Sequence, residues 1–363
     1  MKVMILAGAN NTHTHRWVSS LAGKGIEILL FTLGKYDNWY NNLSNVKVVN
    51  CDYDVRTSVV VKLKYLMVVP KLKRVIKEFK PDILHAHYVS SFGTIGALSG
   101  FHPFIISVWG SDVYDFPHYA PFGKLLVRHN FRKADCILST SHVMAKETRK
   151  YTNKPIEITP FGVDTNRFCK IDGLQSADEF VIGNVKTLEP KYGIDVLIHA
   201  YKIVAERNPN LKSRLVIYGK GSYREEYERL AYNLGIGDRV EFCGFVQNDL
   251  LPNVYNSVSV SVSVSDSESF GVVAVEAMSC GCPVVVSDAD GFTEVVKDGE
   301  TGFIVPKRNS EATAEAIQRF IDDPTLRDKM GTRGRERVKE LYEWTDNVDA
   351  MLKIYRRIIK GVK

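Results

Sequence analysis

Short apolar runs recur along the chain, separated by stretches that carry the three-to-four-residue hydrophobic repeat of a helix. In the first half the runs predict strands at Lys2–Ala7, Glu27–Thr32, Asp82–Ala86, Phe104–Trp109 and Asp135–Ser139. The amphipathic stretches predict helices at Thr14–Ala22, Val60–Phe79, Ser91–Leu98 and His142–Tyr151. A second series opens at Phe180–Val185 and continues with Arg214–Tyr218, Val240–Phe242, Val258–Val264, Pro283–Ser287 and Gly302–Val305. Within it, Ser257-Val-Ser-Val-Ser-Val-Ser-Val-Ser265 has the look of low complexity. Its strict alternation of a β-branched residue with a small one reads as a strand with a Val face and a Ser face. Apolar strands alternating with helical patterns indicate parallel sheets covered on both faces.

Two such series imply two Rossmann-like domains with a cleft between them. A length of 363 residues is ample for two cores. The boundary falls near Pro160–Phe168 and the polar stretch Lys170–Glu179, giving domains 1–168 and 169–345. A last helix, about Asp346–Lys360 within 346–363, carries Val348, Met351, Leu352, Tyr355 and Ile359 on one face.

Composition narrows the setting. No apolar run is long enough to span a bilayer, and Met1–Ala7 is too short for a signal peptide. The six cysteines are scattered; Cys280 and Cys282 have no matching pair, so neither a zinc site nor a disulfide framework is expected. A reducing cytoplasm is the expected location. Residues 1–165 hold 21 Lys and Arg against 12 Asp and Glu, whereas residues 166–363 hold 27 against 30. The basic first half calls for an anionic partner.

The densest chemistry lies in Glu268-Ser-Phe-Gly-Val-Val-Ala-Val-Glu276, followed by Ser279-Cys-Gly-Cys-Pro283-Val-Val-Val-Ser287. Glu268 follows a strand, a helix starts near Phe270 or Gly271, and Glu276 falls in its second turn. Free amides at a helix start hold a diphosphate well, and the two carboxylates can accept hydroxyl hydrogen bonds on either side of it. Acids also favour helix starts for structural reasons alone.

This segment resembles the Glu-x7-Glu signature of retaining family 4 glycosyltransferases, an α/β family with the GT-B fold. The resemblance covers nearly the whole chain and is most specific over Gly183–Val305. It implies two Rossmann-like domains facing across a cleft, the final helix crossing back onto the first. It places Glu268 beside the donor sugar and Glu276 on the nucleotide ribose. The amides of Phe270, Gly271, Val272 and Val273 would hold the diphosphate. In the loop Gly183–Asp195, Lys186 takes the family's Arg place. Tyr192 takes its Lys place, with Lys191 one residue earlier. Either lysine is a phosphate ligand or a solvated loop residue. The turn Tyr218-Gly-Lys-Gly221 matches a Gly-x-Gly turn in which Gly219 would let the backbone meet the donor. Val246 matches a position whose backbone meets the nucleobase; otherwise it is a core strand residue.

The first domain matches less tightly. The family's Gly-Gly pair after the first strand is missing. Gly8 is the nearest glycine, and backbone contact at Ala9 and Asn10 would replace the pair. Thr12 or Thr14 would cap the following helix. His87 either touches a sugar or packs at a strand end. Val108-Trp109-Gly-Ser-Asp112 resembles a His-Gly-x-Asp segment with Trp109 in the His place. A mechanism through that His does not carry over, and Asp112 is left as a candidate for an acceptor hydroxyl. Val61–Lys80 is basic and apolar together. It is either a docking surface for an anionic membrane or an ordinary amphipathic helix. Asp288-Ala-Asp290 spells the metal motif of a different glycosyltransferase fold and is read as chance.

The resemblance implies a retaining transferase with no cofactor and no metal. Its donor is a nucleoside-diphosphate sugar, UDP favoured over GDP, and its acceptor a glycan or lipid-linked molecule. A membrane surface is a further expected partner and nucleic acid is not. An epimerase or phosphorylase on the same scaffold, or a silent sugar-nucleotide-binding protein, is the alternative.

Overall fold

The structure, a computed structural model, describes residues 1–34, 36–51, 67–176 and 178–362. The chain divides into two compact units: Met1–Pro160 together with Asp346–Lys363, and Phe161–Thr345.

The first unit is built on a parallel sheet. Its strands are β1 (Lys2–Leu6), β2 (Glu27–Thr32), β3 (Val46–Asn50), β4 (Ile83–His87), β5 (Phe104–Val108), β6 (Cys136–Ser139) and β7 (Ile156–Ile158). Their order is β3-β2-β1-β4-β5-β6-β7. The five predicted strands are present within a residue or so of their expected ends. The edge strands β3 and β7 escaped prediction. Both are only half-buried, β3 is broken by exposed Lys47, and β7 is three residues long. Neither has the continuous apolar run by which a central strand is recognised. Inside the sheet, Met4, Leu6, Leu84, Phe104, Ile106 and Ile137 form a common core with Ile95 and Phe131 from the covering helices.

The last helix, Trp344–Val362, packs within this unit. Val348, Met351, Leu352 and Tyr355 of its predicted apolar face are buried. The Tyr355 hydroxyl lies 2.6 Å from His85 Nδ1 on β4. Two ion pairs flank that contact, Lys24–Asp349 at 2.6 Å and Arg357–Glu157.

The second unit holds β8 (Phe180–Val185), β9 (Ser213–Tyr218), β10 (Val240–Gly244), β11 (Val260–Ser263), β12 (Val284–Ser287) and β13 (Gly302–Val305), again all parallel. Their order is β10-β9-β8-β11-β12-β13. The Val/Ser tract becomes the central strand β11. Val260, Val262 and Val264 enter the core, and Ser259, Ser261 and Ser263 are buried as well. Small residues are therefore needed on the second face of this strand, which helices cover. Gly183 on β8 is needed for the same closeness: a Cβ there would lie 2.7 Å from Val258 Cγ1.

Phe161–Phe168, at the expected boundary, belongs to the second unit. Val163 exchanges backbone hydrogen bonds with Tyr342 (2.7 Å) and Trp344 (2.9 Å), and the Phe161 ring packs edge-on against Phe270.

Candidate functional site

In an open parallel sheet, ligands bind at the carboxyl ends of the strands where the strand order reverses. In the second unit that point lies between β8 and β11. Lys186 directly follows β8 and Glu268 follows β11. Their side chains meet: Lys186 Nζ lies 2.5 Å from Glu268 Oε2, and the two side chains are only 13% and 14% exposed. An ion pair so sheltered interacts more strongly than a surface pair, and loses much if one partner is removed. Lys186 has three donors and uses one on Glu268, so it can meet a further anion.

The helix Val272–Ser279 starts beside Glu268. Gly271 precedes it at φ 95°, a left-handed conformation that favours glycine. No side chain caps the helix. The Gly271 carbonyl accepts from the amides of Ala274 and Val275. By helix geometry, the earlier amides of Val272 and Val273 have no intrahelical acceptor. This start is a positive, donor-rich terminus that follows Glu268, the ion-pair partner of Lys186, by four residues in the chain. The Glu268 loop is fixed from behind by the Gly291 amide, which donates to the Glu268 carbonyl at 2.9 Å. A Cβ on Gly291 would strike Phe270 N at 2.5 Å.

Glu276, in the second turn, is 8% exposed. It accepts from the Tyr255 hydroxyl at 3.0 Å. Burial, reinforced by the Glu276 charge, drives the Tyr255 hydroxyl well above its ordinary value, so it remains a donor. Tyr255 was not foreseen: it lies on the short helix Leu251–Ser257, where nothing local marks it.

The loop Thr187–Gly193 carries the second lysine. Both ammonium groups lie over the Tyr192 ring, Lys186 Nζ 4.8 Å and Lys191 Nζ 5.0 Å from its centroid. Such contacts hold cations near an aromatic face. Lys191 is exposed. Arg308, also unforeseen, clips this loop to the end of β11. It donates to Asp195 Oδ2 (2.9 Å), to the Pro190 carbonyl (3.1 Å) and to Asp266.

Three further expected site residues are placed as follows. The Phe270 ring is buried between Phe161 and Tyr342, so only its backbone faces the loop. Gly219, at φ 149°, meets the chain's own backbone: a Cβ there would lie 1.9 Å from the Lys186 carbonyl, and its amide donates to the Gly244 carbonyl. Its glycine lets the loops after β8, β9 and β10 interlock. Val246 lies past the end of β10, half-buried, beyond left-handed Gly244.

In the first unit, Asp112 is 1% exposed and both its oxygens are used within the protein. They accept from the amides of Val89 (2.8 Å), Gly110 (2.9 Å) and Trp109 (3.1 Å). Burial raises its carboxyl above the usual range while those amides oppose the shift. Asp112 ties the loops after β4 and β5 together. Asn11, not Thr12 or Thr14, caps the helix Thr12–Gly23, accepting from the His13 and Thr14 amides. The Ala9 amide donates to Thr32 Oγ1, and Asn10 Oδ1 accepts from the Asp37 amide. Gly8 is half-buried and a Cβ there would touch nothing. Asp288 accepts from the Lys307 amide, and Asp290 opens the helix Asp290–Val295. Among the described residues no group of three or more His, Cys, Asp or Glu could hold a metal ion.

His87 is 2% exposed and packs on Trp109 with ring centroids 4.3 Å apart. Its Nδ1 has no hydrogen-bond partner among the described residues. Burial drives His87 well below its ordinary value and holds its neighbour His85 at about 3. Both rings are therefore neutral in the fold and would bind a proton near 6.5 when unfolded. Their contribution to stability is present above 6.5 and is lost as pH falls from there toward 3. Thermal unfolding should thus occur at lower temperature at pH 5 than at pH 7; equal midpoints would show that these rings are solvated.

Two family profiles match the chain: glycosyl transferases group 1 over residues 170–337, and glycosyl transferase 4-like over residues 2–141. A D-inositol 3-phosphate glycosyltransferase of Acidothermus cellulolyticus is 35% identical over 308 residues, 76% of this chain and 67% of that protein. An uncharacterised glycosyltransferase of Methanocaldococcus jannaschii is 34% identical over 206 residues, and the match spans about half of each chain, 55% of this one and 52% of that protein. Among solved structures, a sucrose-phosphate synthase from Thermosynechococcus elongatus superposes with a TM-score of 0.85 at 22% identity, over 99% of this chain and all of that one. Anabaena HepE, in complex with UDP and glucose, does so with 0.81 at 19% identity, over 98% and 100%. At such identities these two likenesses speak for the GT-B fold alone. The chain belongs to the group 1, family 4-like glycosyltransferases.

Proposed function

We propose that this protein transfers a hexosyl or N-acetylhexosaminyl group from a nucleoside-diphosphate sugar, a UDP sugar before a GDP sugar, to a glycan or lipid-linked acceptor, with retention at the anomeric carbon. The observation that carries this reading is the sheltered Lys186–Glu268 pair beside the uncapped start of Val272–Ser279, at the strand-order reversal. Positive charge and free amides meet there, as a departing diphosphate requires.

In the proposed step the bond from the anomeric carbon to the diphosphate oxygen breaks. The acceptor oxygen bonds to that carbon on the same face, and its proton passes to the leaving diphosphate. Lys186 and the amides of Val272 and Val273 stabilise the growing charge on the phosphate oxygens. Lys191 supplies a second, solvent-exposed cation. Glu268 lies beside the donor sugar and accepts from its hydroxyls. Glu276, held by Tyr255, accepts from the ribose. In this reading no buried nucleophile and no metal are needed, because the leaving group is neutralised by the chain's own cations and the helix start.

Analysis of the products from a panel of nucleotide sugars tests the assignment. Transfer to an added acceptor, with the anomeric configuration kept, supports it. An isomerised or free sugar released without any acceptor overturns it in favour of an epimerase.

Replacing Glu276 with Ala should weaken binding of the free nucleoside diphosphate by about 1–3 kcal/mol, roughly 5- to 150-fold, the range for a charged hydrogen bond. Unchanged affinity in calorimetry would remove Glu276 from the site. Excess EDTA should leave most turnover intact; complete loss that added divalent metal restores would refute metal-independent transfer.

A further inference from the structure

The sequence places a basic, apolar stretch at Val61–Lys80, of which residues 61–66 lie outside the described residues. In the helix Val69–Phe79 the two properties separate. Leu72 and Val75 are buried and Ile76 and Phe79 pack on the core, while Lys71, Lys73, Arg74 and Lys77 face solvent. That helix presents a solvated cationic face on which Pro70 is the exposed apolar residue, with Met67, 74% exposed, just before it.

Exposed apolar and cationic side chains coincide elsewhere in the first unit. The helix Gly123–Lys133 turns Val127, Asn130 and Phe131 inward and leaves Leu125, Arg128 and Arg132 exposed on one face at helical spacing. Phe122 enters this helix at φ 60°, a left-handed conformation that costs a phenylalanine free energy, yet its side chain is 78% exposed. Strain held on an exposed aromatic marks a position kept for contact, not for packing. Leu125 is 61% and nearby Tyr119 65% exposed. Behind them, a depression of about 920 Å³ is lined by Arg128, Arg132, Arg149, Lys150 and Lys154, with no carboxylate among its lining residues. Residues 116–155 hold eight Lys and Arg against two acids, Asp135 and Glu147. Both acids are already engaged, Asp135 with His102 and the Phe104 amide, Glu147 with Lys150. Among the described residues Arg128, Arg132 and Arg149 form no ion pair.

We propose that this face, Phe122 and Leu125 with Arg128, Arg132 and Arg149, docks the protein on an anionic lipid surface. The apolar tip would enter the interface while the arginines meet the lipid phosphates. Charge complementarity selects the anionic partner. The exposed aliphatic Leu125 beside Phe122 favours a lipid interface over a nucleic acid, whose backbone would leave both side chains in water. No helix among the described residues is long and apolar enough to cross a membrane, so attachment through this face would be peripheral.

Vesicle flotation of the full chain tests this, with folding of each variant checked by its melting temperature. The wild type should float with phosphatidylserine-containing vesicles at low salt, remain behind with neutral ones, and be released as salt rises toward physiological strength. Arg128→Gln, Arg132→Gln and Arg149→Gln together should lower partitioning roughly a hundredfold, at about fivefold per arginine. Phe122→Ser with Leu125→Ser should also lower it, while Lys71→Gln, Lys73→Gln, Arg74→Gln and Lys77→Gln together should not abolish it. The proposal is overturned if the wild type stays behind with anionic vesicles, or if the triple arginine variant floats like it. It is equally overturned if the Phe122 and Leu125 changes have no effect while single-stranded RNA displaces the vesicles, which would make the face a polyanion site. Donor binding plays no part in the readout, so the result is independent of the proposed transferase reaction.

Discussion

The parallel pairing of β8 with β11, Val260 opposite Ile182 and Ser261 opposite Gly183, is the constraint on which the site depends. It makes two strands far apart in sequence into neighbours and places the strand-order reversal between them. Chain connections then run away in opposite directions, which opens a crevice at the carboxyl ends. The pairing needs close approach on both faces, and the chain meets this with glycine at 183 and the small serines of β11. A larger residue at 183 would drive into Val258 and force the strands carrying Lys186 and Glu268 apart.

Given that frame, electrostatics fixes the chemistry. Lys186 and Glu268 neutralise each other in a sheltered place, so the Lys ammonium is held at the crevice without an uncompensated charge. The start of Val272–Ser279 adds donors that no side chain uses as a cap. Around this centre the loops are locked by backbone contact at Gly219, Gly193 and Gly221, each with a position that a Cβ would fill by collision, and by the Arg308 clip. Rigid loops spare the ligand the cost of ordering them. The histidines and Trp109 in the first unit are packed instead as a neutral, dehydrated cluster.

Much of this was legible in the sequence because central parallel strands are continuous apolar runs. β1, β2, β4, β5 and β6, and β8, β9, β12 and β13 of the second sheet, announce themselves in that way, while β11 is marked by its Val–Ser alternation and the edge strand β10 only by its place in the series. The Glu268-to-Glu276 segment was legible because a strand, a small-residue loop and a helix start follow one another within it. What stayed hidden depends on long-range contact. β3 and β7 are half-buried edges. Tyr255 and Arg308 reach the site from elements far along the chain, with no local mark. Asp112 was expected at an acceptor hydroxyl through the resemblance of Val108–Asp112 to a His-Gly-x-Asp segment, which does not show the three amides that its carboxylate accepts from. The cationic stretch before Lys80 read as apolar and basic together, since the sequence does not say that Leu72 and Val75 turn inward.

The most direct test of the central claim is a crystal structure of the protein with a UDP sugar. The account predicts the diphosphate against the amides of Val272 and Val273, with Lys186 Nζ within about 3.2 Å of a phosphate oxygen. Glu276 should then accept from the ribose hydroxyls. A nucleotide bound away from the ends of β8 and β11, or a diphosphate that leaves Lys186 and the helix start untouched, would contradict it.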